Sequence, residues 1–300
     1  MKIAITGGTG FVGQALIRDF IEKGYTLFIL TRSIQNKVNN KQITYLQWLN
    51  DGDKPEEALE GIDVLINLAG ESINSGRWTE ERKQRIIDSR ISATKEVLRI
   101  INSLKKKPYT MINASAIGYY GTSRTEILTE SSERTGTDFL AKTVQQWEAE
   151  AKKAQEFGCR TVYCRFGIIL DQHDGALPRI AFPYKMFVGG TVGSGEQWLS
   201  WIHIADVVNA IHFVLLNTTI EGAVNFTAPN PATMKEFGKT LGEVLHRPHW
   251  IPAPASALKA GLGEMSILVL EGQKVLPEKL IKSGYPFLFK QLKDALLHLY

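Results

Sequence analysis

Apolar residues in this 300-residue chain fall into short continuous runs, separated by longer stretches where they recur every three or four positions. The runs at 3–5, 25–30, 43–47, 63–68, 110–114 and 160–166 predict buried strands. The stretches at 15–21, 80–105 and 139–157 have helical spacing, with Ile86, Ile87, Ile91, Val97, Leu98 and Ile101 forming the stripe of the longest. Gly24 and Gly158 stand where two of these helices stop. Alternation of this kind predicts an α/β fold with a doubly wound parallel sheet and right-handed crossovers. Near residue 170 the pattern changes. Gly175, Pro178, Pro183, Gly189, Gly190, Gly193 and Gly195 interrupt it, helical patterns return at 204–216 and 234–245, and Pro248, Pro252 and Pro254 break the chain again. The expected division is a nucleotide-binding domain over 1–169 and a smaller α+β lobe over 170–300, with part of 200–216 packing back on the first domain.

The first strand runs directly into Thr-Gly-Gly-Thr-Gly-Phe-Val-Gly at residues 6–13, and a helical pattern follows. A glycine triplet alone is a weak signal. Between a strand and a helix it marks a dinucleotide turn, in which Gly7 allows the tight bend, Gly10 lets backbone approach a pyrophosphate, and Gly13 lets the helix pack closely. The positive helix end and its free N–H groups attract the diphosphate. The second predicted strand ends at Thr31-Arg32-Ser33, with no carboxylate to hold the ribose hydroxyls. A guanidinium there suits a 2′-phosphate, so the expected cofactor is NADP(H).

Composition narrows the class further. Hydrophobic content of 44% supports a large core, and 35 Lys+Arg against 31 Asp+Glu makes no demand for a nucleic acid or membrane partner. Lys105-Lys106-Lys107 is the only compact basic run, and no basic stripe with interleaved aromatics is present. Cys159 and Cys164 form no Cys-x-x-Cys motif. No apolar run reaches the roughly 20 residues of a membrane span, and the first strand begins at the N-terminus with no signal segment. A cytoplasmic protein acting on a small molecule is expected. His246-Arg-Pro-His249 lacks the acids or cysteines that would make it a metal site.

Taken together, the motifs resemble the extended short-chain dehydrogenase/reductases of the NAD-dependent epimerase/dehydratase family. The likeness rests on the glycine turn, Asn-Leu-Ala-Gly at 67–70 and Trp-Ile-His-Ile-Ala-Asp at 201–206. Arg77-Trp78, Ser89-Arg90, the 115–121 and 189–195 segments, Trp147-Glu148 and the 270–277 tail resemble an atypical "epimerase family protein" subgroup with its own C-terminal domain. The resemblance implies a Rossmann-like NADP-binding domain and a C-terminal substrate lobe. The expected cofactor-binding residues are Gly7, Thr9, Gly10, Phe11, Val12, Gly13, Thr31, Arg32, Leu68, Ala69, Gly70 and Arg90.

The superfamily's Tyr-x-x-x-Lys pair and its serine are missing. If Glu148 aligns with the acid that follows the lysine, Leu140 and Val144 replace tyrosine and lysine. Ala116 stands at the serine position, and Ser115, one step earlier, turns to the other face of its strand. Ser115 and Tyr120 are the substitute proton-transfer candidates, each with a purely structural alternative. His203, Trp198 and Trp201 flank a glycine-rich loop and are candidates for lining a substrate pocket, although core packing competes for the tryptophans. Two functions follow: an NADP(H)-dependent oxidoreductase or isomerase, or a non-catalytic NADPH-binding redox sensor.

Overall fold

The computed structural model describes residues 1–300. In chain order the elements are β1 (Lys2–Thr6), α1 (Phe11–Glu22), β2 (Thr26–Thr31), β3 (Ile43–Gln47), β4 (Val64–Asn67), α2 (Glu80–Ser103), β5 (Thr110–Ala116), β6 (Ile127–Leu128), α3 (Phe139–Lys152), β7 (Arg160–Phe166), β8 (Ile168–Leu170), α4 (Leu177–Lys185), β9 (Trp198–Leu199), β10 (Trp201–His203), α5 (Ile204–Leu216), β11 (Gly222–Phe226), β12 (Ala232–Thr233), α6 (Met234–Leu245), α7 (Ala255–Leu262), α8 (Ile267–Leu270), β13 (Lys274–Val275), α9 (Glu278–Lys282) and α10 (Leu292–Leu299).

Seven strands form a parallel sheet in the order β11-β7-β5-β4-β1-β2-β3. Strand order reverses between β1 and β4, and in sheets of this kind the crevice at that switch point receives the ligand. The apolar runs hide a period of two. Ile3, Ile5, Ile29, Ile66 and Ile112 enter one core, shared with Leu16 and Phe20 of α1 and Val207 and Ile211 of α5. Ala4, Leu30, Leu65 and Met111 turn to the other core, with Val97 and Ile101 of α2 and Ala151 of α3. A third core around Leu177, Trp201, Phe237, Leu241 and Leu296 holds the C-terminal part together.

The sequence boundary near 170 is crossed twice. Helix α5 lies beside α1 on the sheet, within the expected 200–216 stretch. Strand β11 is a correction: it lies beyond residue 170, yet it pairs in parallel with β7 as the edge of the central sheet. Its short, Gly-started run offers no periodic signal, and only the pairing partner makes it a strand.

The C-terminal segment docks on α5 through two polar groups. Buried Asp206 accepts from the Leu288 and Phe289 amides and the Tyr285 hydroxyl. His203 caps α5 with Nδ1, accepting from the Ala205 amide at 3.0 Å. Its proton therefore sits on Nε2 and is given to His298 Nδ1 of α10 at 3.1 Å, while the ring stacks on Phe289 at 4.1 Å. Burial, reinforced by the neighbouring His298 and opposed by Asp171, pushes the His203 pKa down to about 4. Above pH 6.5 the imidazole is neutral in both states and its contribution to stability is complete. Between pH 6.5 and 4 the unfolded chain takes up a proton that the folded one refuses, so stability falls, by roughly 3 kcal/mol in all. Urea denaturation at pH 7 and pH 4 should show this loss, and His203→Asn, which keeps a capping side chain, should show less of it. An equal loss in the variant would remove His203 from the account.

Candidate functional site

The glycine turn shows why each glycine is there. Gly7 sits at φ +66°, and a Cβ on it would lie 2.6 Å from the Leu68 carbonyl oxygen. A Cβ on Gly13 would come within 2.4 Å of the Gly7 oxygen and 2.6 Å of Gly8 Cα. Gly13 therefore packs the start of the helix against the turn itself. Gly10 differs: a Cβ there meets one atom within 4 Å, the Gly7 oxygen at 3.2 Å, and otherwise open space. Gly10 is also the N-cap of α1, and no side chain caps that first turn. The cradle has the chemistry of an anion site, with uncapped N–H groups at a helix start and room in front of them.

The other expected cofactor residues surround this turn. Thr9 is exposed and its carbonyl accepts from Gln14 Nε2, while Phe11 and Val12 open α1 half-buried. Leu68, Ala69 and Gly70 leave β4 across the switch point, with the Leu68 amide bonded to Thr6 Oγ1. Thr31 ends β2 and bonds the Ser33 carbonyl; the exposed Arg32 side chain joins no ion pair. Beneath these loops lies a buried network. Thr6 donates to Asn67 Oδ1 at 2.7 Å, and Asn67 donates to Asn113 and Thr94. Thr94 also receives the Trp147 indole N–H. The network locks the ends of β1 and β4 and the middle of β5 to α2 and α3.

Arg90 connects the turn to a cavity. Its Nη1 donates to the carbonyls of Glu71 and Ile86, its guanidinium lies 5.2 Å from the Trp147 ring centre, and its side chain crowds the Cβ position of Gly70 at 3.3 Å. Burial lowers its pKa to about 10, which leaves it cationic at neutral pH. Beyond Arg90 a cavity of about 390 Å³ opens between the C-terminal ends of β5 and β7, the start of α3, and residues 267–273. Its wall is largely apolar and includes Trp147, Phe166, Trp198 and Ile267. A larger depression beside α5, lined by His212, Phe213 and Tyr285, lies away from the switch point.

Ser115 lines this cavity, and its hydroxyl donates to Glu148 Oε1 at 2.5 Å. Glu148 is in turn held by Arg165 of β7 through Nε at 2.8 Å and Nη2 at 2.7 Å. All three are buried. Desolvation alone would lower the Arg165 pKa, but the bonds to Glu148 outweigh it and raise it. Leu140 and Val144 both line the cavity, so the face expected to carry tyrosine and lysine is apolar.

Tyr120 requires a correction. It is fully buried under the Arg165 guanidinium, its hydroxyl donates to Asn225 Oδ1 at 2.9 Å, and it does not line the cavity. The short turn after β5 carries its ring past the sheet edge and into the packing with Leu128 and Val275. Trp198 lines the cavity, whereas Trp201 is core, with its indole N–H on the Asn230 carbonyl, and His203 faces the C-terminal helix. Arg165 was missed. Its signal was a charged residue inside the apolar 160–166 run, which must be paired to be buried.

A parallel sheet with a glycine turn at its switch point and a cavity beside it defines a nucleotide-binding protein of short-chain dehydrogenase type. The chain belongs to the NAD dependent epimerase/dehydratase family, which matches residues 3–225; residues 253–299 match a domain of unknown function, DUF1731. It is 50% identical over 299 residues to epimerase family protein YfhF of Bacillus subtilis, covering 100% of this chain and 98% of that one. It is 42% identical to epimerase family protein SERP0438 of Staphylococcus epidermidis over 296 residues, covering 98% and 97%. The crystal structure of human epimerase family protein SDR39U1 (isoform 2) with NADPH is similar at TM-score 0.88 and 30% identity, covering 100% of this chain and 99% of that one. The fold is also that of UDP-glucuronic acid 4-epimerase from Bacillus cereus in complex with NAD, at TM-score 0.79 and 16% identity, covering 100% and 96%. No helix is long and apolar enough to cross a membrane.

Proposed function

We propose that this protein binds NADP(H) along the C-terminal edge of the sheet and acts on a small molecule in the adjoining cavity, as an oxidoreductase or isomerase of the atypical short-chain dehydrogenase class. One observation carries the reading: Arg90 borders both Gly70 of the cofactor loop and the cavity, so a dinucleotide entering at the glycine turn ends at the cavity mouth. Gly7, Gly10 and Gly13 shape the diphosphate cradle, Leu68 to Gly70 form its far side, and Arg32 is free to meet a 2′-phosphate. The NADPH bound by the human relative supports the same choice. When bound, the nicotinamide supplies hydride transfer. The chain's own contribution is to position the ring, exclude water with an apolar wall, and offer Ser115 as a buried polar group on that wall. Free buried thiols at Cys159 and Cys164 suit a reducing, cytoplasmic setting.

Arg32 provides the test. Removing a charged partner typically costs about 1.5–3 kcal/mol, roughly ten- to more than a hundredfold in affinity. Arg32→Ala should weaken NADPH by that factor in calorimetric titration and leave NADH nearly unchanged. Equal losses, or a wild-type preference for NADH, would contradict the 2′-phosphate role.

A second reading, a non-catalytic NADPH-binding redox sensor, is favoured by Leu140 and Val144 on the cavity wall. Neither side chain can take a proton. A screen in both directions, NADPH oxidation with carbonyl and enone compounds and NADP+ reduction with alcohols, separates the two: turnover in either supports the enzyme, and tight NADPH binding without turnover in both supports the sensor.

A further inference from the structure

The hydrogen atoms of the cavity's hydroxyl groups are largely committed to the protein. A serine or threonine hydroxyl has one proton to give. Ser115 gives its proton to Glu148, Thr143 to the Phe139 carbonyl at 2.8 Å, and Ser200 to the Gln273 carbonyl at 2.8 Å. The two indole N–H groups are committed as well, Trp147 to Thr94 and Trp198 to the Arg124 carbonyl. Asp138 and Glu271 add acceptors to the wall. Uncommitted side-chain donors remain at Thr122, at Gln273 and on the part of Arg90 not shared between carbonyls. None of these lies as deep as Ser115, which is 3% exposed.

The commitment at Ser115 is firm because its partner is a carboxylate held from behind. Arg165 donates to both Glu148 oxygens, Nε to Oε1 and Nη2 to Oε2, which fixes the orientation of the carboxylate that Ser115 faces. With its own hydrogen facing Glu148, Ser115 Oγ keeps its lone pairs for a donor, and Ser115 is among the residues that line the cavity. It cannot act as the hydroxyl that donates to a substrate carbonyl, because its one proton is already given to Glu148.

We propose that the cavity selects a neutral ligand with an apolar body and a hydroxyl group that donates its hydrogen to Ser115 Oγ, and that Glu148, fixed by Arg165, is the positioning residue that makes Ser115 an acceptor. This rests on the reading that the cavity is the substrate site, and it narrows the substrate class to alcohols and phenols. Carbonyl compounds and methyl ethers of the same shape leave Ser115 facing another acceptor.

The test uses matched probes that differ in the donated hydrogen: 4-ethylphenol against 4-ethylanisole, and cyclohexylmethanol against its methyl ether. Each is titrated into the NADPH-saturated full-length protein, with binding read by NMR line shapes and calorimetry. The hydroxyl member should bind at least about tenfold more tightly. Ser115→Ala should abolish the preference and Ser115→Thr should retain it. Glu148→Gln, whose amide can donate to Ser115 and free the serine proton, should shrink or reverse it. Thermal melts establish that each variant is folded, and Ser115→Ala decides the matter if Glu148→Gln is not. Equal affinity within the pairs, a preference that survives Ser115→Ala, or no binding of either hydroxyl probe at millimolar concentration would each overturn the proposal. NADPH affinity is measured in the same samples. Its absence would count against the cofactor reading, whereas intact NADPH binding without donor preference would count against this one.

Discussion

Gly10→Val is expected to abolish NADPH binding in calorimetric titration while the melting temperature stays within a few degrees of the parent protein. Gly10 has an ordinary φ of −83°, and its missing Cβ would meet a single atom within 4 Å, so the folded state can accept a side chain there. The space that side chain would fill lies in front of the uncapped start of α1. A branched residue there covers the N–H groups that would receive a diphosphate and keeps the ligand outside hydrogen-bond reach. Gly13→Val should behave differently. Its Cβ would stand 2.4 Å from the Gly7 oxygen, so the turn itself must move and stability falls along with binding. The pair separates a glycine kept for a ligand from one kept for packing. Wild-type NADPH affinity in a folded Gly10→Val protein would remove the turn from the cofactor site, and with it the proposed function.

Arg165→Ala is expected to cost about 3–5 kcal/mol of unfolding free energy, because removing one partner leaves the buried carboxylate of Glu148 uncompensated. The guanidinium makes two bonds to Glu148 and lies 3.5 Å from the Tyr119 ring centre, so packing is lost as well as charge. For a domain whose total stability is typically about 5–15 kcal/mol, that loss should appear as a large drop in the urea midpoint. The exposed pair Arg85–Glu81 is the control, and Arg85→Ala should barely move the midpoint. Similar small effects at both positions would show that the 148–165 pair is not desolvated, and the firm orientation of Ser115 would go with it.

Local pattern carried most of the architecture. Runs such as 43–47 and 160–166 and helices such as 204–216 and 234–245 are legible because burial on one or both faces forces a period that the sequence cannot disguise. The glycine turn is legible for a related reason: backbone contacts at Gly7 and Gly13 exclude every side chain, so their identity is set within eight residues of chain. The loss of tyrosine and lysine at 140 and 144 could also be read directly, since an apolar residue cannot do their chemistry wherever it points.

What only the tertiary structure decided are the matters that depend on partners far apart in the chain. Strand β11 is a strand because β7 lies beside it, fifty and more residues earlier in sequence. Tyr120 and Ser115 looked equivalent as candidates five residues apart, yet one hydroxyl donates to Asn225 and the other, on a residue lining the cavity, donates to Glu148. Neither outcome has a local cause. Side-chain direction at the end of a parallel strand follows from what α3, β7 and the C-terminal segment leave open, and those elements meet only in the folded chain. The sequence therefore determined the fold and the place where a dinucleotide is expected, through short-range periodicity and steric exclusion. The direction of a single hydroxyl proton, and the kind of ligand it admits, was decided by a buried ion pair assembled from residues on two separate elements.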